Sequence, residues 1–124
     1  MARATNGIIT RKVSCEEILT VVEQKYKKVK EDPKATEDYA VLYFTAGGYE
    51  RDLRITMNAK LYDDEKSGKE YGVKLPDEVT FLSMTFEDDS PDIMRNIVSA
   101  FGGYVRDSDW IGKSEEYYEV EARL

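Results

Sequence analysis

The stretch from Phe86 to Arg106 gathers side chains suited to holding a nucleotide. It opens on an aromatic, Phe86, whose face can stack on a base. Arg95 and Asn96 follow in the first turns of a helix that starts at Ser90-Pro91-Asp92. An amide such as Asn96 can bond bidentately to an adenine edge, and a guanidinium forks onto phosphate oxygens. Gly102-Gly103 breaks that helix just before Tyr104 and Arg106, and glycine lets a ligand approach the backbone closely. The same residues also have a plainer reading. Phe86 then belongs to the core, Arg95 and Asn96 to a solvated helix surface, and Gly102-Gly103 to an ordinary C-terminal cap.

Other chemistry is harder to assemble. The chain has no histidine and one cysteine, Cys15. That removes Ser-His-Asp, Cys-His and histidine–metal arrangements together. Cys15 falls at a helix start, a place that lowers a thiol pKa, but a structural thiol is the expected role. Glu87, Asp88, Asp89 and Asp92 could hold Mg²⁺ or act as an acid/base pair, but they sit at the positive end of a helix dipole, and that helix-start role is the expected one. The loop from Asp63 has acids at its first and third positions and Gly68 at its sixth, as a calcium loop does. Its twelfth position is Lys74, where a bidentate Glu is needed, so a solvated loop is expected. Neither a metal, a cofactor nor a catalytic residue is expected, and binding is favoured over turnover.

Several elements must position these residues. Gly7 to Val13 reads as a strand. Ser14 with Glu17 forms a capping box, and Ile18, Val22, Tyr26 and Val29 continue at helical spacing to Asp32-Pro33, giving a helix over about 15–31. Lys25, Lys27, Lys28 and Lys30 then lie in its last turns. Tyr39 to Thr45 is apolar on both faces and reads as a buried strand. Ala46-Gly47-Gly48 turns the chain into Glu50–Leu61, where Leu53, Ile55 and Met57 alternate with Asp52, Arg54 and Thr56, so the two strands form a hairpin. Arg51 and Arg54 point to opposite faces because their separation is odd. Arg51 shares the apolar face and requires a partner, an anionic ligand or an acid such as Asp38, with a salt bridge expected. Tyr71–Leu75, Val79–Phe86 and Glu116–Leu124 read as further strands, Tyr104–Arg106 as a short extended piece, and Asp107–Lys113 as a loop carrying Trp110. Ser90, Pro91 and Asp92 start a second helix over about 91–101. The expected fold is α+β, a mostly antiparallel sheet with two helices, in a single domain over 1–124.

Composition narrows the partners. The chain has 124 residues, 41% of them hydrophobic, with nine tyrosines, four phenylalanines and one tryptophan. That suffices for one core, and a chain this small gains from sharing core in an oligomer. Its net charge of −7 opposes bulk DNA or RNA binding, which needs Lys and Arg to displace counterions. No apolar run is long enough to span a membrane, nothing reads as a secretory signal, and the single cysteine suits a reducing cytosol. Acidic runs at Asp63–Glu65, Glu87–Asp89 and Glu115–Glu116 keep open a different role, an acidic inhibitor that binds a nucleic-acid-binding or defence enzyme.

In size, in its N-terminal helix followed by a mostly antiparallel sheet, and in Phe86 with Asn96 ten residues on and basic residues beyond, the chain resembles the phage-encoded Thoeris anti-defence proteins of the first type. The resemblance implies capture of a cyclic ADP-ribose signal in the bacterial host cytoplasm, without degrading it. It implies homo-oligomers with pockets at a subunit interface, and cyclic oligonucleotides as a further ligand class for some members. On this sequence Phe86 and Asn96 would hold the base, with Phe81 as the alternative aromatic. Arg106 or Lys113 would hold the pyrophosphate.

Overall fold

The structure, a computed structural model, describes residues 3–60, 72–110, 113–114 and 116–123. Its elements in chain order are β1 (Ala4–Ile9), α1 (Cys15–Lys25), β2 (Lys27–Glu31), β3 (Tyr39–Ala46), β4 (Tyr49–Lys60), β5 (Glu78–Thr85), α2 (Ser90–Val98), β6 (Gly103–Trp110), β7 (Lys113–Ser114) and β8 (Tyr118–Val120). The strands form one antiparallel sheet in the order β2-β3-β4-β5-β1-β6-β7, with β8 also paired to β6. The α+β class and the two helices agree with the sequence.

The first strand lies in the middle of the sheet. β5 and β6 each pair antiparallel to β1, so they run parallel to one another, and α2 carries the chain between them. This is a split β-α-β crossover with β1 in the gap. α2 lies directly over that strand. A Cβ on Gly7 would stand 2.7 Å from Met94 Sδ and 3.0 Å from Val98 Cγ2, so only glycine lets the helix settle this close.

Alternation divides the apolar residues between two faces. One face of the sheet, with Ile9, Leu42, Phe44, Leu53, Ile55, Leu82, Met84 and Val105, packs under Ile18 and Val22 of α1 and Ile93, Met94, Ile97 and Val98 of α2. The adjacent Ile8 points the other way and joins Leu75, Val79 and Tyr117, with Phe81 and Tyr104 beside them. The opposite face is therefore only partly covered.

α1 begins as the sequence predicts. The Glu17 N–H donates to Ser14 Oγ at 3.2 Å and the Ser14 N–H donates to Glu17 Oε2 at 2.9 Å. Its end differs. The helix stops at Lys25, and 27–31 form the edge strand β2 against β3. Tyr26 turns away to stack on Phe44, with ring centroids 5.0 Å apart. Of Lys27, Lys28, Val29, Lys30 and Glu31 only Val29 is partly buried, so continuing the helix would gain little apolar contact. Pairing with β3 prevails over helical spacing, and Lys25 alone remains in the last turn of the helix.

The β3–β4 hairpin has the expected two-residue turn, with Ala46 opposite Tyr49 and Gly47 and Gly48 at φ 60° and 82°. Positive φ at both positions is the geometry that matches strand twist. β3 is buried on one face rather than two: Ala40, Leu42, Phe44 and Ala46 are inside, whereas Tyr39 is 44% exposed. Residues 72–75 are not a strand; Val73 and Leu75 pack against the second cluster instead. β6 runs on to Trp110 where a loop was expected, and the final strand is only Tyr118–Val120. Asp89, not Ser90, is the N-cap of α2. The Ser90 hydroxyl donates to Thr85 O and accepts from the Glu87 N–H, tying the helix start to the end of β5. That helix ends at Val98, and a turn over 99–101 completes the expected span.

Candidate functional site: a cleft on the open sheet face

The register places one cross-strand row on the partly covered face. Val41 lies opposite Arg54, Arg54 opposite Ser83, Ser83 opposite Asn6, and Asn6 opposite Arg106. The row thus holds two arginines separated by two short polar residues. Three strand spacings separate the arginine Cα atoms by about 14 Å. The neighbouring row runs Tyr39, Thr56, Phe81, Ile8, Tyr104.

Part of these rows, with Tyr117, lines a cleft of about 280 Å³, bordered by Asn6, Arg54, Thr56 and Ser83 on its polar side and by Tyr39, Phe81 and Tyr117 on its aromatic side. Arg54 donates from Nη2 to Ser83 Oγ at 3.4 Å and lies 3.9 Å from Asp52 through Nε. Its Nε is buried and makes no hydrogen bond. Arg106 stacks over the Tyr117 ring, 4.6 Å from its centroid, a cation–π contact that fixes both groups beside the cleft. The arrangement offers a guanidinium to an anion, hydroxyl and amide groups to a sugar or base edge, and aromatic faces for stacking.

The residues singled out from the sequence are distributed over several surfaces. Phe81, Tyr104 and Arg106 lie on the open face, where Phe81 lines the cleft and Arg106 stacks on its Tyr117 wall. Asn96 lies on the helical side, where Nδ2 donates to the Tyr26 hydroxyl at 3.4 Å. Phe86 follows β5, its N–H donating to Arg3 O and its ring lying 4.2 Å from the Arg3 guanidinium carbon. Phe86, Asn96 and Arg106 therefore do not share a surface within one chain. Arg95 borders a second cleft of about 480 Å³ with Asp92, Asn96, Ser99, Glu121 and Arg123. There it donates to Asp92, to Asp107 at 3.3 Å and to the Tyr118 hydroxyl at 2.7 Å. Lys113 lies on β7, and its side chain falls outside the described residues.

Arg51 has the salt bridge expected of a buried cation, but with Asp89 rather than Asp38. Nη1 and Nη2 donate to the two carboxylate oxygens at 2.6 and 2.9 Å, and Nη2 and Nε donate to Ala46 O. Two of the four acids near α2 are thus committed to arginines, Asp89 to Arg51 and Asp92 to Arg95. Among the described residues no group of three or more His, Cys, Asp or Glu is placed to hold a metal. The loop over 63–71 lies outside them. Cys15 is not activated by its helix. Burial first, then its hydrogen bond and charge contact with Glu31, push its thiol up to about 12.

Arg54, Asn6, Ser83, Tyr39 and Tyr117 were missed as site residues. The alternation of β4 does put Arg54 opposite the apolar side chains, but nothing local shows that β5, β1 and β6 continue its row. Comparison with known proteins gives no matching family model, no matching curated protein and no matching solved structure. No helix among the described residues is long and apolar enough to cross a membrane.

Proposed function

We propose that this chain captures a nucleotide signal on the open face of its sheet and holds it without turnover. The supporting observation is the placement of Arg54 and Arg106 in one row of an otherwise acidic protein, beside the aromatic cleft of Phe81, Tyr39 and Tyr117. The resemblance to the Thoeris anti-defence proteins of the first type supplies the finer reading, in which the occupant is a cyclic ADP-ribose isomer and its capture blunts host immunity. Ligand pockets commonly run from about 300 to 1,000 Å³. A cleft of about 280 Å³ therefore suits one base-bearing half of such a molecule and leaves the other half at its mouth. A second copy of the chain covering that mouth belongs to the same proposal.

Calorimetric titration with cyclic ADP-ribose isomers tests it, followed by heat denaturation and chromatography of the released ligand. Binding is expected to return the ligand unchanged. Arg54→Ala and Arg106→Ala should each weaken affinity about tenfold or more, the scale of a lost charge-assisted hydrogen bond. Absence of both binding heat and thermal stabilisation with every isomer would sink the proposal, as would conversion of the ligand.

A further inference from the structure

The C-terminal segment that supplies Tyr117 is held from both faces of the sheet. β8 pairs with β6 over only three positions, Val105–Tyr118, Tyr104–Glu119 and Gly103–Val120. On the open face Tyr117 lies under Arg106 and borders the cleft. On the helical face its neighbour Tyr118 is clasped by two charged groups. Arg95 Nη1 donates to the Tyr118 hydroxyl at 2.7 Å, and that hydroxyl donates to Asp107 Oδ1. Arg95 also bonds Asp107 at 3.3 Å and Asp92 of its own helix. The pairs are consecutive along the chain: Arg106 and Asp107 of β6 hold Tyr117, which immediately precedes β8, and Tyr118, its first residue, one on each face.

We infer that Arg95, Asp107 and Tyr118 are positioning residues that set the Tyr117 wall of the cleft from the far side of the sheet. The inference rests on reading the cleft as the ligand site. Side chains of adjacent residues in an extended segment point to opposite faces, so fixing the Tyr118 ring fixes the backbone from which Tyr117 projects. A hydroxyl bonded to both a guanidinium and a carboxylate is a stronger anchor than a neutral pair. A three-position ladder gives little restraint of its own. Arg95 thereby serves the site without touching its occupant, and α2 is linked to a surface it does not line.

Tyr118→Phe removes the hydroxyl and keeps the ring. Two readouts decide the matter: titration with cyclic ADP-ribose and with inorganic pyrophosphate, and the Tyr117 ring resonances of the free protein by NMR. Affinity for cyclic ADP-ribose should fall about tenfold, as expected for loss of an anchor to charged groups, while pyrophosphate, which needs no stacking wall, is bound as before. The Tyr117 resonances should shift. Equal loss for both probes, or unchanged Tyr117 resonances, overturns the inference. Asp107→Asn, which preserves shape, should move the same signals in the same direction, and serves alone if Tyr118→Phe does not fold. If neither probe binds wild-type protein, the ligand-site reading fails and the Tyr117 resonances still decide the clasp.

Discussion

Replacing Asp89 by Asn tests how the β3–β4 hairpin is joined to α2. The Arg51 side chain is 6% exposed and that of Asp89 is 45% exposed, so the cation is buried and its counterion reaches water. Asn keeps the shape but loses the charge and one of the two acceptor oxygens that receive bonds at 2.6 and 2.9 Å. Breaking a fully buried pair costs about 3–5 kcal/mol, because the remaining charge is left without a partner. Two features reduce that figure here. Ala46 O still accepts from Nε and Nη2, and water can enter on the Asp89 side. We expect a loss of about 2–3 kcal/mol, with exposed pairs marking the lower bound of about 0–1 kcal/mol. For a domain of this size that lowers Tm by about 10 °C. Urea unfolding monitored by circular dichroism, with an unchanged m-value, measures it directly. Asp88→Asn, at the exposed neighbouring acid, should stay within about 0.5 kcal/mol of wild type. Equal stability of Asp89→Asn and wild type would refute the argument that Arg51 needs this carboxylate.

Gly7→Ala should destabilise the fold by about 1–3 kcal/mol, since its Cβ would press on fully buried Met94 and Val98; an unchanged urea midpoint would contradict the close approach of α2 to β1. Cys15 should react with iodoacetamide at pH 8 at least about tenfold more slowly than an exposed cysteine, and Glu31→Gln should speed the reaction because Glu31 supplies both causes that add to burial. The raised pKa means that the folded state keeps this proton longer than the unfolded chain. Its contribution to stability is complete below the unfolded value of about 8.5 and is lost as pH rises towards the folded value. Stability rising through that window would reverse the assigned sign.

Local chemistry was the most legible part of the sequence. Ser14 and Glu17 fix the start of α1, and the alternation through Leu53, Ile55 and Met57 with Gly47-Gly48 fixes a hairpin, because each signal is complete within a few residues. Tyr26–Glu31 misled because its apolar spacing is compatible with a helix, while its actual partner, Tyr43 among others, comes from β3. The same limit applies to the site. Arg54 was placed on the correct side of β4, yet its row is completed by Ser83, Asn6 and Arg106 from three other strands. Asn6 precedes the stretch that read as the first strand, and Tyr117 was one alternating residue among several. Asp89 reads as one of four acids at a helix start, and its pairing with Arg51 depends on how α2 meets the hairpin.

The central position of β1 also governs the order in which the molecule can assemble. β1 leaves the ribosome before either of its neighbours exists, and its partners lie between Thr80 and Thr85 on β5 and between Gly103 and Asp109 on β6. The β3–β4 hairpin can close early, but the middle of the sheet must wait for the last third of the chain, the kind of distant pairing that slows folding. Once β5, α2 and β6 have been made, β5 and β6 border a slot one strand wide until β1 enters it. The β1 of another nascent copy has the same sequence and fits that slot equally well, so strand exchange between crowded chains is the misassembly this topology invites.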